Sequence, residues 1–131
     1  MSPGGQGPVE WASVRAYQSF GSTDGNAPAS IKAAKAAGIK HVSAYIFPCV
    51  SCGDGAKQVN DTVYLLNAND AAPDMYWYDV ERYNWSSDLS SNQAFITDMI
   101  SKGQKLGIKA GIYTNYYNWE AIVGLDWDYP A

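Results

Sequence analysis

Histidine occurs once in this sequence, at His41, and cysteine only twice, at Cys49 and Cys52. A structural zinc takes four ligands, so one Cys-x-x-Cys without a second ligand pair speaks against it. The pair in Pro48-Cys49-Val50-Ser51-Cys52 reads first as a short disulfide bracing a loop, with a redox motif as the alternative. Long apolar runs are missing too: none approaches the roughly 20 residues that a membrane span requires. Basic residues are in deficit, 9 Lys and Arg against 13 Asp and Glu, which gives a net charge of −4. With no basic stripe to offset that charge, a polyanion such as nucleic acid is a poor main ligand. Neither Gly-x-Gly-x-x-Gly nor a phosphate loop follows the first expected strand, which argues against nucleotide binding. Residues 1–8 are rich in Gly and Pro and lack an apolar stretch, so they read as a flexible segment and not a signal peptide.

What the sequence has instead is aromatic residues of a particular kind. Ten Tyr and five Trp stand against three Phe in 131 residues. Tyr and Trp combine a flat apolar face with a polar edge, which suits ligands that are half wet. Sugars are such ligands: their C–H faces stack on aromatic rings while their hydroxyls need hydrogen-bond partners. Much of the set also serves to pack helices on strands. The length suffices for one domain with a hydrophobic core. The sequons Asn60-Asp61-Thr62 and Asn84-Trp85-Ser86 fit a secreted protein.

Apolar periodicity predicts strands over 13–18, 41–47, 75–81 and 109–114, with His41 at a strand start as a structural residue. Helices are expected over 26–37, 55–67, 90–106 and 117–123, the third presenting Phe95, Ile96, Met99, Ile100 and Leu106 near one side. The phrases Ala36-Ala37-Gly38-Ile39-Lys40 and Lys105-Leu106-Gly107-Ile108-Lys109 echo each other. Each joins a helix end to a strand through a glycine suited to the left-handed cap. Strand–helix units of this length imply parallel strands joined by right-handed crossovers. The fold class is therefore α/β, as an open sheet or as part of a barrel. A complete (β/α)8 barrel takes about 250 residues, so on the barrel reading this chain is roughly half of one.

The segment that could do chemistry is Met75-Tyr76-Trp77-Tyr78-Asp79-Val80-Glu81. On a strand, alternate side chains share a face, so Trp77, Asp79 and Glu81 point one way and Tyr76, Tyr78 and Val80 the other. Two carboxylates at the carboxyl end of a parallel strand lie where such folds place their active sites. Their Cα atoms would be separated by roughly 6.5–7 Å. That suits glycoside hydrolysis, in which one carboxylic acid protonates the leaving oxygen and a carboxylate stabilises the charge at the anomeric carbon. Two acids held close also separate in pKa, leaving one protonated and one ionised near neutral pH. The same Asp-x-Glu spacing also occurs in magnesium sites and as solvated charge past a strand end.

In order along the chain come Val14-Arg15-Ala16-Tyr17-Gln18-Ser19, residues 33–38, Tyr45-Ile46-Phe47-Pro48-Cys49, Trp77-Tyr78-Asp79-Val80-Glu81, Gly111-Ile112-Tyr113-Thr114 and Trp119. From residue 9 to its end the sequence resembles glycoside hydrolase family 25, the Chalaropsis-type lysozymes. The Phe47-Pro48-Cys49 loop resembles the branch found in amoebae and nematodes. The resemblance implies an irregular (β/α)8 barrel that cleaves the β-1,4 bond between N-acetylmuramic acid and N-acetylglucosamine in bacterial peptidoglycan, with no metal and no cofactor. Glu81 matches the general acid, and Asp79 the carboxylate that orients and stabilises the substrate's own acetamide. Tyr45 matches a tyrosine of the sugar cleft. Tyr113 and Tyr17 occupy comparable strand positions, and Trp77 shares the face of the acids. These four are the substrate-binding candidates, although packing is an equal or better reading for Trp77, Trp119, Tyr17 and Tyr113. A secreted, lysosomal or phagosomal antibacterial enzyme is implied.

The sequence also departs from that family. Its members open with a strand carrying Gly-x-Asp-x-Ser, whereas residues 1–10 contain no aspartate, and the sequence stops before the family's last strands. The expectation is a partial barrel domain over 9–131 that lacks the first and last strands. As an isolated chain it would have little or no activity and would self-associate through open barrel edges. Asp74, Asp79 and Glu81 also fit the Asp-x-x-Asp-x-Asp-x-Glu motif of chitinase-like family 18, with Trp77 in the remaining acidic place. A non-catalytic glycan-binding remnant is the other alternative.

Overall fold

The α/β reading holds in the computed structural model, which describes residues 11–127. The segment 1–8 lies outside the described residues. In chain order the elements are β1 (Trp11–Gln18), β2 (Ser22–Thr23), α1 (Ala27–Ala36), β3 (His41–Ile46), α2 (Gly55–Ala68), β4 (Met75–Asp79), α3 (Leu89–Leu106), β5 (Ala110–Tyr113) and α4 (Tyr116–Val123). They build a five-stranded sheet in the order β2-β1-β3-β4-β5. Strands β1, β3, β4 and β5 are mutually parallel, and the short β2 pairs antiparallel with the end of β1. No helix of the described residues is long and apolar enough to cross a membrane.

Side-chain alternation sorts the sheet into two unlike faces. Val42, Ala44 and Ile46 of β3, with Tyr76 and Tyr78 of β4, enter one hydrophobic core. The helices supply its other half: Ile31 from α1, Val59, Val63 and Leu66 from α2, Ile96 and Met99 from α3, and Ile122 from α4. Each fully buried branched side chain stabilises the fold by about 1.5–3 kcal/mol relative to exposure, so this face holds the domain together. The intervening residues Ser43, Tyr45 and Trp77 point away from that core and are half-buried.

Local chemistry sets the element ends. The side chain of Asp54 caps α2 by accepting from the Lys57 N–H at 3.0 Å, and Asp88 caps α3 through the Ser90 N–H at 3.0 Å. Gly38 and Gly107, with φ of 82° and 71°, take the left-handed turn that lets each helix pass into the next strand. Leu106 is an exception to the expected apolar side of α3: it is 37% exposed, because the buried stripe ends one turn earlier at Gly103.

Candidate active site

Strand β4, with the two residues after it, carries the candidate acid pair. Its register sets Trp77 between Tyr45 of β3 and Gly111 of β5, and Asp79 beside Tyr113. A Cβ on Gly111 would stand 2.8 Å from Cζ3 of Trp77, so the missing side chain lets the indole lie close over β5. Trp77, Asp79, Glu81, Tyr45 and Tyr113 together line an open concavity of about 540 Å³ on the sheet face away from the helices. The strand itself ends at Asp79, and Glu81 follows two residues later with its side chain still turned into the same hollow.

Asp79 is the unusual group. It is 7% exposed, and its Oδ1 is buried without a hydrogen-bond partner. Burial pushes its carboxyl up to about 8 from an ordinary 3.8, and a hydrogen bond with Glu81 and the charge of Glu81 push in the same direction. A neutral carboxylic acid beside a second carboxyl, walled by aromatic rings, is an arrangement for moving a proton.

Three lining residues escape the sequence reading: Trp11, Ser13 and Ser43. The signal was present in the alternation of β1, which starts at Trp11 and not at residue 13. Tyr17 requires a correction. It is 5% exposed and lines a separate surface hollow with Ser22, Asp61 and Tyr64, not the concavity of the acids. A β-bulge explains the change: Arg15 pairs with Tyr45 but Tyr17 pairs with Ile46, so the extra residue turns Tyr17 onto the helix side.

The remaining candidates fall outside the concavity. Trp119 is a packing residue, stacked on Trp127 with ring centroids 5.6 Å apart. Cys49 and Cys52 are joined by a disulfide. Cys49 is buried, unlike the accessible first sulfur of a thioredoxin-type pair. Gln58 organises the same loop, with Nε2 donating to the Cys49 carbonyl at 2.8 Å and Oε1 accepting from the Cys49 N–H at 2.9 Å. Asp74 precedes β4 at its opposite end and accepts from the Val42 N–H at 3.0 Å, so it does not join Asp79 and Glu81. Among the described residues no cluster of His, Cys, Asp and Glu could hold a metal ion.

The sequence profile of the lysozyme-like protein 1 family matches residues 6–130. The chain belongs to this lysozyme-like family. It is 44% identical over 115 residues to lysozyme-like protein 5 of Caenorhabditis elegans, covering 86% of this chain and 54% of that one. It is 37% identical over 115 residues to probable GH family 25 lysozyme 2 of Dictyostelium discoideum, covering 88% and 54%. Probable GH family 25 lysozyme 5 of the same amoeba is 39% identical over 121 residues, covering 89% and 55%. The lysozyme-like chain thus spans about half the length of these relatives. Their nematode and amoeba sources agree with the branch that the Phe47-Pro48-Cys49 loop resembles. No solved structure matches it significantly.

Proposed function

We propose that this chain carries the acid pair of a lysozyme-type glycoside hydrolase, an N-acetylmuramidase acting on the β-1,4 bonds of bacterial peptidoglycan. The observation that carries the reading is a buried Asp79 carboxyl beside Glu81 in a concavity walled by Tyr45, Trp77 and Tyr113. A glycosidic oxygen leaves only when protonated, and positive charge then develops at the anomeric carbon. Glu81 gives its proton to that oxygen as the C–O bond breaks and the acetamide oxygen bonds to the anomeric carbon. Water then displaces that oxygen, giving a proton to Glu81, with retention of configuration. Asp79, once ionised, holds the substrate's own acetamide and offsets the positive charge. Burial, with the neighbouring Glu81, favours the protonated form of Asp79 near neutral pH. When the acetamide N–H engages Asp79, the Asp79 proton passes along the hydrogen bond to Glu81 and arms the acid. The aromatic residues offer faces to the sugar rings. Nothing in this sequence of steps needs a metal or a cofactor.

On the same reading, residues 9–131 form part of a (β/α)8 barrel, which the one-sided helix layer supports. The disulfide fits an oxidising compartment, whether secreted, lysosomal or phagosomal, and cleavage of bacterial peptidoglycan would make the role antibacterial. Two measurements on the purified chain test the function. N-acetylglucosamine–N-acetylmuramic acid oligosaccharides are expected to shift the Trp77 indole resonance on binding. Release of reducing ends from bacterial cell walls is expected to be slow, because the described residues build one wall of a cleft, and to fall by about 100-fold or more in Glu81→Gln. A chain that neither binds the oligosaccharide nor releases reducing ends overturns the proposal, as does release that Glu81→Gln leaves intact.

A further inference from the structure

Glu81 stands beyond the end of β4, so the sheet ladder does not fix it directly. The last sheet-like bond on this side runs from the Val80 N–H to the Tyr113 carbonyl at 2.8 Å. After it, consecutive residues of the main chain are gripped by side chains from different parts of the fold. The Val80 carbonyl accepts from Thr114 Oγ1 at 2.7 Å. The Glu81 carbonyl accepts from the indole Nε1 of Trp85 at 2.8 Å. The Arg82 N–H donates to Asn118 Oδ1 at 3.2 Å.

Each of these side chains is itself anchored. The Trp85 ring meets Phe95 of α3 edge-on, with centroids 5.7 Å apart. Asn118 lies in the first turn of α4, where its N–H is capped by Asn115 Oδ1 at 2.9 Å. Thr114 directly follows β5. The far side of the loop is tied down by Asn92, which is 1% exposed. Its Nδ2 donates to the carbonyls of Ser86 and Ile122, both at 2.8 Å, and its Oδ1 accepts from the Ser86 N–H at 3.2 Å.

Backbone groups on an exposed loop can be satisfied by water and need no protein partner. Here the protein partners converge on the carrier of the second carboxyl and on its two neighbours. We propose that Thr114, Trp85 and Asn118 are positioning residues that hold the Glu81 carboxyl against that of Asp79. The catalytic meaning of that role rests on the hydrolase reading above, whereas the geometric role does not.

The test is a carbon-13 titration of the Asp79 carboxyl in the full chain. The other titratable groups facing Asp79 in the concavity are Glu81, Tyr45 and Tyr113. Of these, Glu81 is the group whose hydrogen bond and charge act on Asp79. Glu81→Gln gives the full fall in that midpoint when the Glu81 charge is removed. Trp85→Phe keeps a ring against Phe95 but deletes the N–H donor. Thr114→Val deletes the hydroxyl at nearly constant shape, and Thr114→Ser restores it. We expect Trp85→Phe and Thr114→Val each to reproduce at least half of the Glu81→Gln fall, and Thr114→Ser to keep the native midpoint. Native midpoints in both deletion variants overturn the proposal, as does Thr114→Ser behaving like Thr114→Val. Should Trp85→Phe fail to fold, the Thr114 pair decides alone. Turnover then separates the two readings. Midpoints that move as stated in a chain that never cleaves glycan leave the positioning role standing and remove the hydrolase. In a cleaving chain, kcat falls by roughly 10- to 100-fold at unchanged KM.

Discussion

At the scale of single residues, the Asp79 carboxyl makes stability depend on pH. Its pKa rises from 3.8 to about 8 in the folded chain, first through burial and then through Glu81. Between those values the folded state binds more protons than the unfolded state, so stability falls as pH rises. The contribution is complete below about pH 4 and is lost as pH climbs through about 8. The urea midpoint is therefore expected to be lower at about pH 8 than at about pH 5, with Asp79→Asn removing that part of the slope. A midpoint that instead rises over this interval would show an ionised, partnered Asp79. The acid pair was legible because alternation along residues 75–81 survives two residues past the strand end. Tyr17 was carried over from the family resemblance, and a bulge in β1, which leaves no mark in composition, turns it to the other face. The grip of Thr114, Trp85 and Asn118 on the main chain of Val80, Glu81 and Arg82 was also illegible, since those hydrogen bonds involve main-chain groups that any sequence would offer.

At the scale of elements, α2 and α3 come together at a glycine. A Cβ on Gly55 would stand 2.7 Å from Cγ of Met99 and 2.9 Å from the main-chain oxygen of Phe95. Alanine gains at most about 1 kcal/mol of helix propensity over glycine, and less at the first helical position. Forcing a methyl group against a backbone atom in a packed interior costs about 1–3 kcal/mol, so the clash wins. Gly55→Ala is expected to lower stability by about 1–2 kcal/mol, read from the urea midpoint at unchanged m. Equal or higher stability would mean that the two helices separate without cost. The α2 stripe of Val59, Val63 and Leu66 was plain in the sequence, because three apolar residues at helical spacing meet one core. Strand β2 was not, because two residues are too few for any periodicity. The helix starts at Asp54, Asp88 and Asn115 carry acidic or amide side chains whose capping role depends on the neighbouring N–H directions, which only the folded backbone supplies.

At the scale of the whole molecule, the sheet has one covered and one open face. Trp11 and Tyr113, 69% and 61% exposed, stand on the open side with the acid pair. The β5 edge is also open among the described residues. The carbonyls of Lys109 and Tyr113 accept from β4, so Ala110 and Ile112 turn their N–H and C=O groups outward. A free parallel edge beside exposed aromatic rings can pair with a strand that fits it, and a second copy of this chain brings the same open β5 edge. Reversible self-association is therefore expected, seen in sedimentation velocity as an average mass that rises with concentration. Ala110→Pro is the matching variant. It removes one outward N–H at the first residue of β5, where proline is tolerated, and it touches neither Asp79 nor Glu81. The variant should weaken association several-fold while leaving the Asp79 titration unchanged. A native mass that stays monomeric at every concentration would show that the edge and the aromatic face do not recruit another copy. The concavity lies on that open face, so on the proposed function saccharide and a second copy should compete for Trp77 and Tyr113. Added N-acetylglucosamine oligosaccharide should drive the native chain toward monomer and leave the mass of Ala110→Pro nearly constant.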